Sequence, residues 1–588
     1  MSDEPVVIIG AGPAGLAAAW ECIGRQLRPV VLEGSGMVGG IARTESYNDY
    51  LFDIGGHRFF SKIERVNRLW QEMLGPDLLR VPRLSRIYYQ GKFFRYPLEC
   101  VDALVKLGLL ESLLIVVSYG RAQVRPSAVE ETFEQWVSNR FGRRLYLTFF
   151  KTYTEKVWGI PCDEIRADWA AQRIKGLSLM VALANALFGN ARSKSLIDAF
   201  DYPARGPGMM WQRFQEEIVA HGGTVRLQSE VIRVEHGKGL VSGVVLQEGG
   251  CLQTIAADHF ISSVPITRLV QLLEPPPPAE VVVAARALSY RAFLIVGLIV
   301  KQADLFPDQW IYVHSPDVRV GRIQNFKNWS AAMVPDAYTT SIGMEYFCNT
   351  DDELWRMTDA ELIALATAEL AALGLAVPTD VTDGVVIRQP AAYPVYDRDY
   401  GQNLKTIKDY LTIFKNLQTI GRNGMHRYNN MDHSMQTGIM AVENIRGAAH
   451  DLWAVNDEEE YLEEGKAAGI GRSVLESILV QSFARMDKVA MATAIGSVCG
   501  LLVLAATLWI SSRDPNPAAS HLRLLAQYCI GYTVTVQGAF VGFAYFFFWG
   551  FLAGWLFAYL RNFFLAVYLF HLKKKSALLT VKDFFDHL

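Results

Sequence analysis

The feature that most constrains this chain lies at its start. Val6-Val7-Ile8-Ile9 is an apolar, β-branched run that leads directly into Gly10-Ala11-Gly12-Pro13-Ala14-Gly15, and an alanine-rich stretch follows. A strand that turns sharply into a helix needs each glycine for its own reason. Gly10 permits the tight turn, Gly12 lets the backbone approach a pyrophosphate, and Gly15 allows helix and strand to pack closely. Phosphates then meet the N–H groups and positive end of the helix. A second apolar run, Pro29-Val30-Val31-Leu32, ends at Glu33, whose carboxylate suits the ribose hydroxyls of an adenine nucleotide. The doublet Gly39-Gly40 joins the same cofactor-binding set. The pattern predicts an α/β fold with a Rossmann-like, dinucleotide-binding domain. The alternative is an ordinary glycine-rich strand–helix turn with a surface carboxylate at Glu33.

At 588 residues the chain exceeds one ordinary domain. A net charge of −3 provides no basic field, so nucleic acid is not an expected partner. The seven cysteines are scattered without a C-x-x-C pair, so neither a metal site nor a disulfide framework is expected. Such usage fits a reducing compartment. Met1-Ser2-Asp3-Glu4 is polar and acidic, no signal peptide is expected, and the catalytic part is placed in the cytoplasm.

Apolar residues make up 51% of the chain, with the excess near the C-terminus. Val489–Ile510 carries no charge and is long enough to cross a bilayer; the polar stretch Ser511–Pro517 ends it. A second span is expected over about 538–560, followed by Arg561 and Lys573-Lys574-Lys575. Arg485 and Lys488 precede the first span, and only Arg513 and Arg523 lie between the two. The positive-inside rule therefore predicts a hairpin with both ends in the cytoplasm. A pair of buried core helices is the alternative. Leu522–Val536 is assigned to the interface, and Val101–Tyr119, which includes Lys106 and Glu111, is predicted as a core helix of the soluble part.

Elsewhere, Gly222–Leu227 and Val231–Val234 predict paired strands, and Phe260–Pro265 a buried strand ending in a turn. Residues 61–200 read as mainly helical and 285–400 as mixed. The expected organisation is a discontinuous nucleotide-binding domain (1–60, 201–285 and 405–450) and a substrate domain (61–200 and 286–404). A linker at 451–488, acidic at Asp457-Glu458-Glu459-Glu460, leads to a membrane region at 489–588.

Four further blocks are informative together: Gly55-Gly56-His57-Arg58-Phe59-Phe60-Ser61, Tyr153-Thr154-Glu155-Lys156-Val157-Trp158-Gly159, Tyr393-Pro394-Val395-Tyr396-Asp397, and Gly421-Arg422 through Tyr428 to Asp432-His433. With them, residues 5–447 resemble the flavin-dependent UDP-galactopyranose mutase family, within the wider group of protoporphyrinogen oxidases and amine oxidases. The Y-T-E-K-x-W-G block is the most discriminating. The resemblance implies FAD, active when reduced, and interconversion of pyranose and furanose rings through a bond between the sugar and flavin N5, for cell-surface glycan synthesis. It implies that Arg173 and Arg322 grip the diphosphate as charge develops on it. Tyr393 and Tyr428 would line that group, Tyr153 and Trp158 the nucleotide side, and His57 a loop facing the flavin. Val231, Gly421, Arg422 and Met431 complete the cofactor set. Asn430 stands where the bacterial pattern has an aspartate, closer to the eukaryotic one.

Each residue also has an ordinary reading. Arg173 suits a surface ion pair, Arg322 a strand end, Tyr393-Pro394 a turn, Trp158 the core and His57 a satisfied loop. Two other functions stay open. One is a membrane-bound, FAD-dependent oxidoreductase of the protoporphyrinogen oxidase or desaturase type, acting on a lipid or lipid-linked sugar. The other is a non-catalytic scaffold that recruits a glycosyltransferase.

Overall fold

A computed structural model describes residues 5–96, 98, 100–127, 129–167, 199–456, 487–513 and 521–585. The acidic stretch 457–460, Arg485 and residues 514–517 of the polar break therefore lie outside the described residues. The chain divides into two compact units, Met1–Gly465 and Lys466–Leu588.

The first unit is built around a five-stranded parallel sheet. Its strands are, in spatial order, Leu417–Thr419, His259–Ser262, Pro5–Ile9, Arg28–Leu32 and Thr224–Arg226. Parallel sheets are covered on both faces, which explains the continuous apolar run at the chain's start. Val6 and Ile8 enter one core with the helices Pro13–Gly24, Gly208–Ala220 and Met431–Ile445. Val7 and Ile9 enter the core on the opposite face, following the two-residue period of a strand. The Pro13–Gly24 and Met431–Ile445 helices cross so closely that a Cβ on Gly438 would lie 2.2 Å from the Ala14 carbonyl oxygen.

The strands expected to pair around residues 222–234 do not pair with each other. Thr224–Arg226 returns from the Gly208–Ala220 helix to the open parallel edge of Arg28–Leu32. Gln228 then turns the chain at φ +52. Ser229–Gly237 pairs instead with Leu240–Glu248, in a separate four-stranded sheet. The edge beside Arg28–Leu32 satisfies the first strand's backbone as a crossover connection does, so the hairpin forms one strand later. Phe260–Ser262 is buried in the parallel sheet, as expected.

A seven-stranded sheet runs Val381–Pro394, Tyr290–Val300, Thr340–Cys348, Arg322–Asn325, Trp310–Val313, Ser85–Tyr89 and Lys92–Arg95. One face packs beneath the Asp359–Ala372 helix, and the other faces an aromatic-rich core. The described residues of 61–200 are mainly helical, as expected, but they also contain strands that the sequence reading did not single out. Residues 78–95 supply three strands, because aromatic and β-branched residues in Ser85–Tyr89 and Lys92–Arg95 fit a pleated, half-buried surface. Ala199–Pro203 pairs with the first of the three, Leu78–Pro82.

The expected core helix at 101–119 is also different. Gly108, at φ +91, breaks it into helices Cys100–Leu107 and Leu109–Val124. Only the face with Ile115 is buried. Leu110, Leu113, Leu114, Val117 and Val124 recur at helical spacing on the other side and are exposed. Both faces of this helix are apolar, and one is packed.

In the second unit, helices Lys488–Arg513 and Val536–Phe585 pack through small residues. A Cβ on Gly550 would lie 3.0 Å from Gly496 Cα, and one on Gly554 2.9 Å from Ala492 Cα, a close approach that only small side chains permit. The segments Lys488–Ser512 and Val536–Phe563 are long and apolar enough to cross a membrane, and their most apolar stretches are largely unburied.

The crossing at Gly438 generates a stability test. Gly438→Val forces the two helices apart and is expected to destabilise the catalytic unit by about 1–3 kcal/mol. Thermal unfolding followed by near-UV circular dichroism reads it, and a melting temperature equal to wild type contradicts it.

Candidate active site

Two neighbouring groups of residues make up the site. The first is the turn after Pro5–Ile9. Gly10 sits at φ +100, and a Cβ there would lie 2.4 Å from Ser263 Oγ. A Cβ on Gly15 would lie 1.9 Å from the Gly10 carbonyl oxygen. Both positions therefore exclude any side chain. Gly12 and Gly40 face each other, with a Cβ on Gly40 only 3.3 Å from Gly12 Cα, and the Gly39 N–H donates to the Ala11 carbonyl at 2.8 Å. The Pro13–Gly24 helix has no side-chain cap and no acidic residue in its first turn, so its leading N–H groups point at this glycine-lined gap.

Glu33 closes the far side. Its carboxylate accepts from the Ala11 N–H at 2.8 Å and from Ser35 N–H and Oγ at 2.9 and 2.8 Å. These bonds fix the carboxylate and leave lone pairs for ribose hydroxyls. The Ser229 N–H donates to the Glu33 carbonyl at 2.8 Å, which brings buried Val231 up to this strand end. Gly421, at φ +78, donates its N–H to Thr437 Oγ1 at 3.0 Å and packs against Ala14. Met431 opens a second helix without a side-chain cap, and Asp432 beside it accepts from Ser61 Oγ at 2.9 Å, tying down the loop that carries His57.

The second group is cationic and aromatic. Arg322 lies on a fully buried strand opposite Glu345 of Thr340–Cys348. Its Nε forms an ion pair with the Glu345 carboxylate, and its terminal NH2 donates to the Tyr393 hydroxyl at 2.6 Å. The guanidinium lies over Phe347 and Trp310, 4.7 and 5.1 Å from the ring centres. Burial works against the charge on Arg322, but Glu345 overrides it and holds the guanidinium well above its ordinary range. Gln324 donates its side-chain amide to the same carboxylate.

Tyr393 stacks on Tyr428 at 5.7 Å, and Trp158 lies 6.1 Å from each ring. Arg422 covers Tyr428 at 4.4 Å and Tyr393 at 5.6 Å, while its Nε donates to the Asn429 carbonyl at 2.9 Å. His57 is half-buried, and its Nδ1 is 2.9 Å from the Gly55 carbonyl, an arrangement that makes Nε2 the acceptor. Burial, then the charges of Arg422 and Arg322, push its pKa down to about 4. Tyr153 stacks on His314 at 4.6 Å, and burial raises its phenol, so it stays protonated.

The Y-T-E-K-x-W-G block divides its labour. Tyr153 and Trp158 face the cluster from the Thr152–Trp158 helix, which continues a π-helix at Tyr146–Lys151, a distortion common at functional sites. Lys156 donates to the Ser315 and Val320 carbonyls at 2.6 and 3.2 Å, strapping the helix to the loop before Arg322. Gly159, at φ +69, ends the helix; a Cβ there would lie 2.3 Å from the Arg291 guanidinium carbon. Arg173 lies outside the described residues. Glu345, Gln324 and Trp310 escape sequence reading because strand register brings them to the site. The one sequence hint is Gly56, where a Cβ would lie 1.9 Å from the Trp310 ring.

The fold and the glycine cradle define a flavoprotein of the Rossmann type. Residues 13–445 match the flavin-containing amine oxidoreductase family, and the chain belongs to it. Its cofactor is FAD, which the facing pair Gly12 and Gly40, the uncapped helix end and the fixed Glu33 carboxylate suit. The chain is 24% identical over 289 residues to the 15-cis-phytoene desaturase of Solanum lycopersicum, covering 44% of this chain and 46% of the desaturase. It thus spans about half the length of that relative. Reduced UDP-galactopyranose mutase shares the fold with a TM-score of 0.69 at 21% identity, covering 78% of this chain and 98% of the mutase. A protein of Exiguobacterium sp. 255-15 described as a protoporphyrinogen oxidase shares it with a TM-score of 0.58 at 17% identity, covering 76% and 100%.

Two outcomes follow from the geometry. Glu345→Leu leaves the buried Arg322 charge without its carboxylate and is expected to cost about 3–5 kcal/mol, read as a fall in melting temperature. His57 has a folded pKa of about 4, below its ordinary 6.5, so the stability it contributes is whole above about pH 6.5 and is lost as pH falls toward 4. His57→Gln should therefore lose less melting temperature than wild type between pH 7 and 4. Asp53, pushed up to about 7 by burial, tilts both profiles the other way, so their difference is the readout. Parallel profiles contradict a neutral His57.

Proposed function

We propose that this chain is an FAD-dependent mutase of the UDP-galactopyranose mutase type, interconverting ring forms of a diphosphate-linked sugar for cell-envelope glycan synthesis. The observation that carries the reading is the Arg322 guanidinium, fixed on one side by Glu345 and on the other by the Tyr393 hydroxyl. A leaving diphosphate gathers negative charge, and a cation already desolvated and oriented stabilises it without reorganisation. A site for a pure hydrocarbon would have no use for a buried charge, because holding one costs desolvation.

In this reading Arg322 holds diphosphate oxygens, with Arg173 as the second cation. Tyr393 and Tyr428 donate hydroxyl hydrogen bonds to the same group, and Arg422 keeps their stacked rings in place. Tyr153 and Trp158 flank the nucleotide side. Neutral His57 presents an acceptor nitrogen on the flavin side, and reduced FAD, when bound, supplies the nucleophile for the anomeric carbon. Lys488–Ser512 and Val536–Phe563 form a two-span membrane anchor with both ends in the cytoplasm, beside a glycosyltransferase partner.

A second reading, a flavin oxidoreductase acting on a lipid or lipid-linked sugar, draws support from the desaturase relative and the apolar C-terminal helices. One assay separates the two. Dithionite-reduced, full-length protein is incubated with UDP-galactofuranose, and UDP-galactopyranose is followed by chromatography. Conversion without net electron consumption is expected, and Arg322→Ala should lower kcat/KM by about 100- to 1000-fold. No conversion with reduced FAD bound, together with stoichiometric bleaching of oxidised flavin by a lipid substrate, supports the oxidoreductase instead.

A further inference from the structure

We infer that the Leu109–Val124 helix is a second membrane contact, lying in the headgroup region of an anionic bilayer with its outer stripe among the acyl chains. The inference rests on the reading of the C-terminal helices as spans. The outer stripe consists of Leu110, Leu113, Leu114, Val117 and Val124, which are 74, 61, 41, 61 and 80% exposed. These positions follow one another at three- and four-residue steps, with one gap, so they form a single continuous side of the helix. Val105, 74% exposed on the preceding helix, adds to the apolar surface of this segment. Single exposed aliphatic residues are unremarkable on soluble proteins, whereas a contiguous stripe of them is not.

The gap in the stripe is filled by Arg121, with Arg125 just after the helix, and both are exposed. The stripe itself carries no acidic residue. Glu111, the helix's one carboxylate, lies off the stripe, half-buried and bonded twice to Arg144, at 2.6 and 2.7 Å. Two guanidinium groups at one end of an apolar stripe match an anionic lipid surface, with their stems lying along the hydrocarbon and their heads at the phosphates.

The inner face fixes the helix in place. Ile115 is 1% exposed, and Gly142 lets the following turn press against Tyr119, where a Cβ would lie 2.7 Å from the backbone nitrogen. The packed side leaves the outer stripe as a rigid surface. The occupant is set by the tether. Residues 457–486 join the catalytic unit to the first apolar helix, and thirty extended residues reach at most roughly 100 Å. The tether therefore keeps a bilayer that holds that helix near the catalytic unit, at high effective concentration. From Gly142 the chain runs through the Tyr146–Lys151 π-helix to Tyr153 and Trp158, so the turn packed beneath the proposed membrane contact leads directly into one wall of the active site.

The test uses full-length protein in phosphatidylcholine vesicles containing phosphatidylglycerol. Cys251 and Cys499 are replaced by Ser, and an environment-sensitive fluorophore is placed on Val117→Cys. Leu252→Cys, on an exposed hairpin strand, and Phe548→Cys, in the second apolar helix, serve as references. The Val117 probe is expected to shift to the blue and to be quenched by shallow doxyl lipids several-fold more than the Leu252 probe. Adding Leu113→Asp or omitting phosphatidylglycerol should reduce both effects. Quenching at Phe548 without quenching at Val117 overturns the interfacial helix and leaves the spanning anchor standing. Quenching at neither overturns both. A blue shift at Val117 that doxyl lipids do not affect means that protein covers the stripe, from a second copy or from the apolar run at 176–189, and also overturns the inference.

Discussion

A guanidinium buried among aromatic rings survives only where a carboxylate shares its surroundings, and strand register provides this for Arg322. Residues directly opposite on antiparallel strands have side chains on the same face, so the pairing that puts Arg322 across from Glu345 also settles their charge balance. Much of the site follows from that choice. Gln324, two residues along the same strand, reaches the same carboxylate, and the Tyr393 hydroxyl meets the other end of the cation. Tyr428, Trp158 and Arg422 then stack outward from Tyr393. Replacing a buried pair by apolar residues is often neutral for stability, so the value of this one lies in orienting a charge.

The nucleotide cradle depends on a different constraint, the near contact of backbones. Its glycines are legible in sequence because each steric need is local: a positive φ at Gly10, and no room for Cβ at Gly15. The rest of the cationic cluster was legible only in part. Arg322, Tyr393, Arg422, Tyr428, Trp158, Tyr153 and His57 could be singled out by resemblance, and the structure brings them together. Glu345 and Trp310 could not, since nothing near them in sequence announces which strand they will face.

Strand pairing was likewise the weak point of the fold. The short strand at Thr224–Arg226 and the one beginning at Ser229 both alternate around valine in sequence, and only the open edge beside Arg28–Leu32 decides that they part. The Leu109–Val124 helix misled for another reason. Apolar residues around the whole circumference suggest burial, but burial requires a partner on every side, and here the described residues supply one on a single side.

The seven-stranded sheet has a consequence for how this unit comes apart. Ser85–Tyr89 lies parallel to Trp310–Val313, whose other neighbour is Arg322–Asn325, and the sheet continues through Thr340–Cys348 and Tyr290–Val300 to Val381–Pro394. Pieces of chain separated by more than two hundred residues are thus laced into one hydrogen-bonded layer. Neither the early nor the late portion retains a complete layer without the other. A nick between them would leave two fragments that hold together by complementation, and recombination that exchanged one portion alone would have to preserve the seam between Ser85–Tyr89 and Trp310–Val313.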